Sequence, residues 1–347
     1  MRALVQDVFG ETPEVREVPD PVVPDGGVVV RVEATGLCRS DWHAFAGHDP
    51  DVVLPHVGGH EWAGTVSAVG VGVPGVRIGE RVTAPFVLAC GTCTPCRQGA
   101  QQVCADQLQP GFTGWGSFAE LVAVPRAAVN LVPLPEGVDS DAAALLGCRF
   151  ATAFRALLTV GRLAAGQWLA VHGCGGVGLS AVQVAVAAGA RVVAVDIDAD
   201  ARRRALDLGA EATVDPGSDG WQQVGDRVRD ASGGGTDVSL DALGSEAVVA
   251  AALAGLRARG RHVQVGLLPP SLGLPRVPLH LVVAGELEVL GSHGMAAHAY
   301  PGLLALVGTG RLRPGGLSTR TLTLEQAGPA LAAMAGPAPT GVTLVRP

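Results

Sequence analysis

A chain of 347 residues is long enough for two ordinary domains, and 48% hydrophobic against 16% charged residues suits buried cores rather than disorder or a coiled coil. The net charge of −7 argues against a nucleic-acid backbone as partner. All 25 basic residues are Arg, so Walker A loops, pyridoxal-phosphate and Schiff-base enzymes, and Tyr-x-x-x-Lys dehydrogenases are excluded. Along the first 135 residues, apolar-rich runs at 28–32, 63–69, 80–84 and 119–124 are bounded by Gly, Pro or Asp. They predict short strands of an all-β unit, a barrel in the simplest arrangement. From residue 140 the texture changes. Ser140 is expected to cap an alanine-rich helix through 157, followed by a strand at 168–171, a Gly-rich turn and a helix ending near 189. A strand at 191–196, a helix through 209, a strand at 238–240, a helix at 246–256 and a strand at 262–265 continue the alternation. Such alternation predicts a parallel sheet with right-handed crossovers. The last 55 residues read as mixed, with a helix at 300–307 and a strand at 341–345.

The N-terminal stretch lacks a signal-peptide core, and the most apolar run, 179–190, is too short to span a bilayer, so a cytoplasmic protein is expected. In that setting seven cysteines point to metal or thiol chemistry rather than disulfides.

Two motifs carry chemistry of their own. Gly173, Cys174, Gly175, Gly176, Val177 and Gly178 fit G-x-G-x-x-G between a predicted strand and helix, and the next strand ends in Asp196, 18 residues after Gly178. Gly173 permits the tight turn, Gly175 lets backbone N–H groups approach a pyrophosphate, and Gly178 allows close helix packing. Asp196 can accept the ribose hydroxyls of NAD and repel the 2′-phosphate of NADP, an effect that Arg202, Arg203 and Arg204 would partly offset. Cys174 reads as a small buried filler. The second motif is C-x2-C-x2-C-x7-C at Cys90, Cys93, Cys96 and Cys104, in a lobe spanning 88–106. Four thiolates so close can enclose one structural Zn²⁺ with no open position. An Fe–S cluster uses a similar opening but a different fourth spacing, and a nucleic-acid zinc ribbon would want more than the one basic residue here, Arg97.

Three further segments hold metal-ligating residue types that spacing alone cannot join: Cys38 to His43, Gly59-His60-Glu61, and Cys148. These segments, the four-Cys lobe and the Gly-rich turn stand in the order found in the zinc-dependent medium-chain alcohol dehydrogenases, which the whole chain resembles. The resemblance implies an α/β fold: a GroES-like β-rich catalytic domain over 1–149 and 290–347, and a doubly wound, Rossmann cofactor domain over 150–289. It implies catalytic zinc on Cys38, His60 and Cys148 with water or alcohol as fourth ligand, the arrangement for which alcohol dehydrogenases are known. By the same resemblance Ser40 takes the alcohol proton and passes it through the cofactor ribose to His43, Asp41 orients His60, and Glu61 stands behind the metal. Arg39 would reach the pyrophosphate, Thr152 and Val177 would lie against the nicotinamide, and Val265, Gly266 and Leu267 would lie along the cofactor. Trp42, Phe86 and Trp115 are substrate-pocket candidates or core residues.

The expected activity is reversible hydride transfer between a primary or secondary alcohol and NAD, with two Zn²⁺ per chain, in a homodimer or homotetramer. Cysteine at 148, where polyol dehydrogenases tend to place Glu, favours simple alcohols. Alternatives are a polyol dehydrogenase or NADP-preferring aldehyde reductase of the same superfamily, and, outside enzymes, a zinc-binding scaffold or sensor. Ser40 and His43 beside the metal set weigh against the scaffold.

Overall fold

A computed structural model describes residues 1–268, 273–336 and 341–347. The chain divides into two compact units, Met1–Ala151 with Gly294–Pro347, and Thr152–His293.

In the first unit the strand Val28–Leu37 is central. Val28, Val29, Val30 and Val32 are buried, as are residues 34–37, and Arg31 is the strand's one exposed residue, so the strand is covered on both faces over most of its length. It pairs antiparallel with Trp62–Val69, Leu121–Val124 and Val342–Arg346. The sheet continues through Arg81–Thr83 to Val132–Pro133 on one side and to Ser318–Thr323 on the other. Trp62, Val66, Val82, Val122 and Val124 close the core against Val28, Val30 and Val32. A three-stranded sheet of Glu14–Glu17, Arg2–Gln6 and His56–Val57 completes the unit's strands among the described residues. Arg2–Gln6, Ser318–Thr323 and the helix Leu324–Ala333 were not among the predicted elements.

The predicted helix from Ser140 differs in two ways. Its N-cap is Asp139, whose carboxylate accepts the Ala142 amide at 2.7 Å; Ser140 is the first helical residue and its hydroxyl goes to Glu33. Nor is the helix continuous: Ser140–Ala144 gives way to a π-helical turn at Leu146–Phe150, then Ala151–Phe154, then a second π-helical stretch at Arg155–Val160. Such turns insert an extra residue per turn and are frequent at functional sites.

The second unit is a six-stranded parallel sheet in the order Ala212–Val214, Arg191–Val195, Trp168–His172, Thr236–Asp241, Leu256–Gln264, Glu288–Gly291. Numbered along this unit the order is 3-2-1-4-5-6, the Rossmann arrangement, which places its topological switch between Trp168–His172 and Thr236–Asp241. Helix Glu246–Ala254 ends sooner than predicted because Leu256 already belongs to the next strand, and helix Trp221–Ser232 was not predicted. Among the described residues, no helix is long and apolar enough to cross a membrane.

Candidate functional site

The strand Val28–Leu37 delivers Cys38, the N-cap of helix Arg39–Phe45; His60 precedes the strand Trp62–Val69; Cys148 sits in the π-helical turn Leu146–Phe150. These separate segments bring the two sulfurs and a ring nitrogen of His60 within 4.8 Å of one another. Asp41 organises them. Its Oδ1 lies 2.7 Å from His60 Nδ1 and accepts the Gly59 amide at 3.3 Å, while its Oδ2 accepts the Cys38 amide at 2.8 Å. Because a carboxylate only accepts, Nδ1 carries the proton and Nε2 presents its lone pair.

That Nε2 is buried and has no hydrogen-bond partner. Burial pushes the His60 ring toward neutrality, but the Asp41 carboxylate and the Cys38 sulfur outweigh it and hold its pKa well above the usual imidazole range. A hydrogen bond between the two sulfurs holds Cys38 well below its ordinary range, and the same hydrogen bond, with burial, pushes Cys148 well above. A buried nitrogen without a partner, two adjoining sulfurs and a field that favours positive charge fit a metal ion. Three protein ligands of this type leave a position open.

On helix Arg39–Phe45, Ser40 and His43 are three residues apart and so share a side. Ser40 Oγ lies 3.9 Å from Cys38 Sγ, and His43 Nδ1 lies 3.1 Å from Nδ1 of the exposed His48. Burial, with His48 and Arg39 nearby, lowers the His43 pKa. Arg39 donates to the Met334 carbonyl and stacks on Trp42, 5.1 Å from its ring centre. Of the three pocket candidates, Phe86 meets His60 edge-on with centroids 6.2 Å apart. Trp42 packs on His43 and His48, and the exposed Trp115 donates to the Pro55 carbonyl at 3.2 Å.

Two residues beside this cluster escaped the sequence reading. Phe112, buried, lies 5.2 Å from the His60 ring. Arg149, also buried, pairs with Glu61, Nη1 to Oε2, at 2.5 Å. Burial pushes the Glu61 carboxyl upward, opposed by the Arg149 charge. Arg149 left a signal: it is the one charged residue between Asp141 and Arg155 in an apolar run, and a buried charge needs a partner.

The four-Cys lobe stands apart. Cys90 and Cys96 sulfurs are 3.9 Å apart and those of Cys93 and Cys104 3.7 Å, with all cysteines free. An ideal tetrahedron with Zn–S bonds of about 2.3 Å has edges of about 3.8 Å, whereas a disulfide would need about 2.05 Å. The four sulfurs therefore fit one tetrahedral ion. Hydrogen bonds from the Thr92 hydroxyl and from the Thr92 and Cys93 amides lower Cys90 to about 6, while burial raises Cys96 to about 12. The only asparagine, Asn130, braces the lobe's entrance, accepting the Ala89 amide at 2.8 Å and donating back to its carbonyl at 3.1 Å.

In the second unit, the Gly-rich turn links strand Trp168–His172 to helix Gly176–Ala187. Gly173 has φ +92°, and a Cβ on Gly178 would stand 1.7 Å from the Gly173 carbonyl oxygen, so neither position accepts a side chain. The helix N-terminus carries no side-chain cap, and the space a Gly175 Cβ would fill is open. Uncapped amides and open space suit a phosphate. Asp196, directly after Arg191–Val195, accepts the Cys174 amide at 2.6 Å and the Asp198 amide at 2.8 Å. Arg202 donates to the Asp196 carbonyl and pairs with Asp215 at 2.9 Å; Arg203 pairs with Asp200. Cys174 is buried, its thiol pushed up to about 12 by that burial. Thr152 is buried, Val177, Val265 and Gly266 partly so, and Leu267 exposed.

Residues 24–136 match the alcohol dehydrogenase GroES-like domain family, and residues 176–309 match the zinc-binding dehydrogenase family. The chain is 34% identical over 296 residues to an alcohol dehydrogenase from Geobacillus stearothermophilus, covering 84% of each. It is 29% identical to a sorbitol dehydrogenase from Halalkalibacterium halodurans, covering 94% of each. A solved zinc-binding dehydrogenase from Sinorhizobium meliloti, bound to NADP, superposes with a TM-score of 0.87 at 29% identity, over 100% of this chain and 99% of that one.

Proposed function

The chain belongs to the zinc-dependent medium-chain alcohol dehydrogenase family, and from that premise we propose that it interconverts primary or secondary alcohols with aldehydes or ketones using NAD. As a member it is an oxidoreductase that works with zinc and a nicotinamide cofactor. One observation carries the catalytic-zinc reading: the buried His60 Nε2 has no hydrogen-bond partner, and the His60 ring nitrogen and the sulfurs of Cys38 and Cys148 lie within 4.8 Å of one another.

In this reading 1–149 and 290–347 form the catalytic domain, 150–289 binds the cofactor, and the chain assembles as a homodimer or homotetramer in the cytoplasm. Cys38, His60 and Cys148 hold a catalytic zinc, which when bound lowers the pKa of an alcohol hydroxyl. Two thiolates and a neutral imidazole cancel the charge of the ion. Asp41 fixes the tautomer that leaves Nε2 free. Ser40 accepts the alcohol proton, and His43, its pKa depressed, carries it toward His48 at the surface. Phe86 and Phe112 give the site an apolar wall suited to a hydrocarbon substituent. Cys90, Cys93, Cys96 and Cys104 hold a second, structural zinc.

Gly173, Gly175, Gly176 and Gly178 present amides to the pyrophosphate, and Asp196 receives the ribose hydroxyls. Arg202 already answers Asp215, which supports NAD over NADP because a 2′-phosphate would meet Asp196 with little free positive charge. Arg39, Thr152, Val177, Val265, Gly266 and Leu267 complete the proposed cofactor contacts. The sorbitol dehydrogenase among the relatives favours one second reading, a polyol substrate. A panel of primary, secondary, benzylic and polyol alcohols, each with NAD and with NADP, separates the two. Highest kcat/KM for a simple alcohol with NAD supports the first, and a strong polyol preference supports the second.

A further inference from the structure

The three proposed ligands come from segments far apart in the chain, and one side chain touches the neighbour of each. Arg149 follows Cys148. Its Nη1 reaches Glu61, the residue after His60, at 2.5 Å, and its Nη2 donates at 2.6 Å to the carbonyl of Leu37, the residue before Cys38. Glu61 closes the circuit, its Oε1 accepting the amides of Arg149 at 2.8 Å and of Cys148 at 3.3 Å. Room for the pair comes from Gly36, where a Cβ would stand 2.6 Å from Glu61 Oε2 and 2.7 Å from Arg149 Nη1.

We propose that Arg149 is a positioning residue that holds the Cys38, His60 and Cys148 segments in register for the metal and neutralises Glu61 beside it. The proposal rests on the reading of these three residues as a zinc site. A buried ion pair contributes little net stability compared with apolar residues of the same volume, so stability alone does not account for this one. What the pair supplies is direction. A guanidinium spreads its charge and its N–H groups over one plane, so Nη1 pairs as an ion with the carboxylate after His60 while Nη2 donates to the carbonyl before Cys38. Partners of this kind outside the ligand set govern metal affinity by about 10- to 100-fold. With Glu61 ionised and Arg149 protonated, the pair is neutral and leaves the charge balance of a Cys2His zinc site unchanged.

The test uses the zinc-loaded protein and the variants Arg149→Met and Glu61→Leu/Arg149→Met, the second removing both buried charges so that no orphaned carboxylate threatens folding. Zinc release to a chelator is followed, with the four-Cys zinc as internal control, and cobalt spectra are recorded after exchange at the Cys2His site. Both variants should release that metal at least about tenfold faster and shift the cobalt d–d bands, with four-Cys release unchanged. Release within about twofold of the parent and an unaltered cobalt spectrum in the folded double variant would overturn the assignment. Should the parent protein bind metal only at the four-Cys lobe, the zinc-site reading fails and takes this proposal with it, an outcome distinct from a parent that binds normally and variants that do not differ.

Discussion

Replacing Asp41 with Asn isolates the part played by one buried carboxylate. The side chain is fully buried and accepts from three donors: His60 Nδ1 at 2.7 Å, the Cys38 amide at 2.8 Å and the Gly59 amide at 3.3 Å. Asn has nearly the same volume but one accepting oxygen. If that oxygen serves His60 and Gly59, its NH2 faces the Cys38 amide, donor against donor. One buried donor then goes unsatisfied, at a cost of about 1–3 kcal/mol. If the amide turns over, His60 loses its acceptor, and the tautomer with Nε2 free is no longer enforced. Either way metal affinity at the Cys2His site should fall by about 10- to 100-fold, or about 1.4–2.7 kcal/mol. Chelator competition on Asp41→Asn and its parent measures this directly, with the four-Cys zinc as reference. Affinity within about twofold of the parent, with the fold intact, would refute the argument that Asp41 prepares His60 for the metal.

Cys104→Ser removes one corner of the sulfur tetrahedron and should lower zinc by one equivalent per chain while loosening the lobe; metal analysis that still finds two would contradict a closed four-thiolate site. Asp196→Ser removes a charge that would face a 2′-phosphate at a cost of about 1–4 kcal/mol. The NADP-to-NAD ratio of kcat/KM should therefore rise about tenfold or more, and an unmoved ratio removes Asp196 from cofactor choice. His172 is buried, its Nε2 has no partner, and burial with His262 nearby depresses its pKa to about 3. The unfolded chain gains this proton below about 6.5 while the folded one does not, so stability is present at neutral pH and lost as pH falls toward 3. The loss is up to about 1.4 kcal/mol per pH unit. Denaturation of His172→Leu at pH 7, 6 and 5 should show a shallower decline than the parent, and equal slopes would rule the histidine out as the source.

What the sequence revealed tracks how local each signal is. The four cysteines lie within one short loop and the glycine turn within six residues, so spacing alone announces both. Cys38, His60 and Cys148 are separated by 22 and 88 residues, and only resemblance to a known family joined them. The Glu61–Arg149 pair spans a similar distance and left no periodic trace beyond a lone charge in an apolar run. At the helix start, Asp139 and Ser140 are both good caps; the choice was made by Glu33, which draws the Ser140 hydroxyl away. The π-helical turn that carries Cys148, Leu146–Phe150, continues directly from the alanine-rich helix Ser140–Ala144, and no periodic signal in its sequence marks the change of helix type. Ser318–Thr323 pairs in the sheet although its sequence is mostly polar, because five of its six residues are not buried and no hydrophobic alternation marks it.

An open Cys2His zinc is proposed to perform alcohol chemistry with a nicotinamide. The most direct test is the formation of reduced nicotinamide by the zinc-loaded protein and by Cys38→Ser across the alcohol panel. The parent should turn over at least one simple alcohol. Cys38→Ser should lose that turnover, with the four-Cys zinc still bound and the fold preserved. Full activity in Cys38→Ser, or no turnover of any alcohol by a parent carrying two zinc ions, would contradict the proposal.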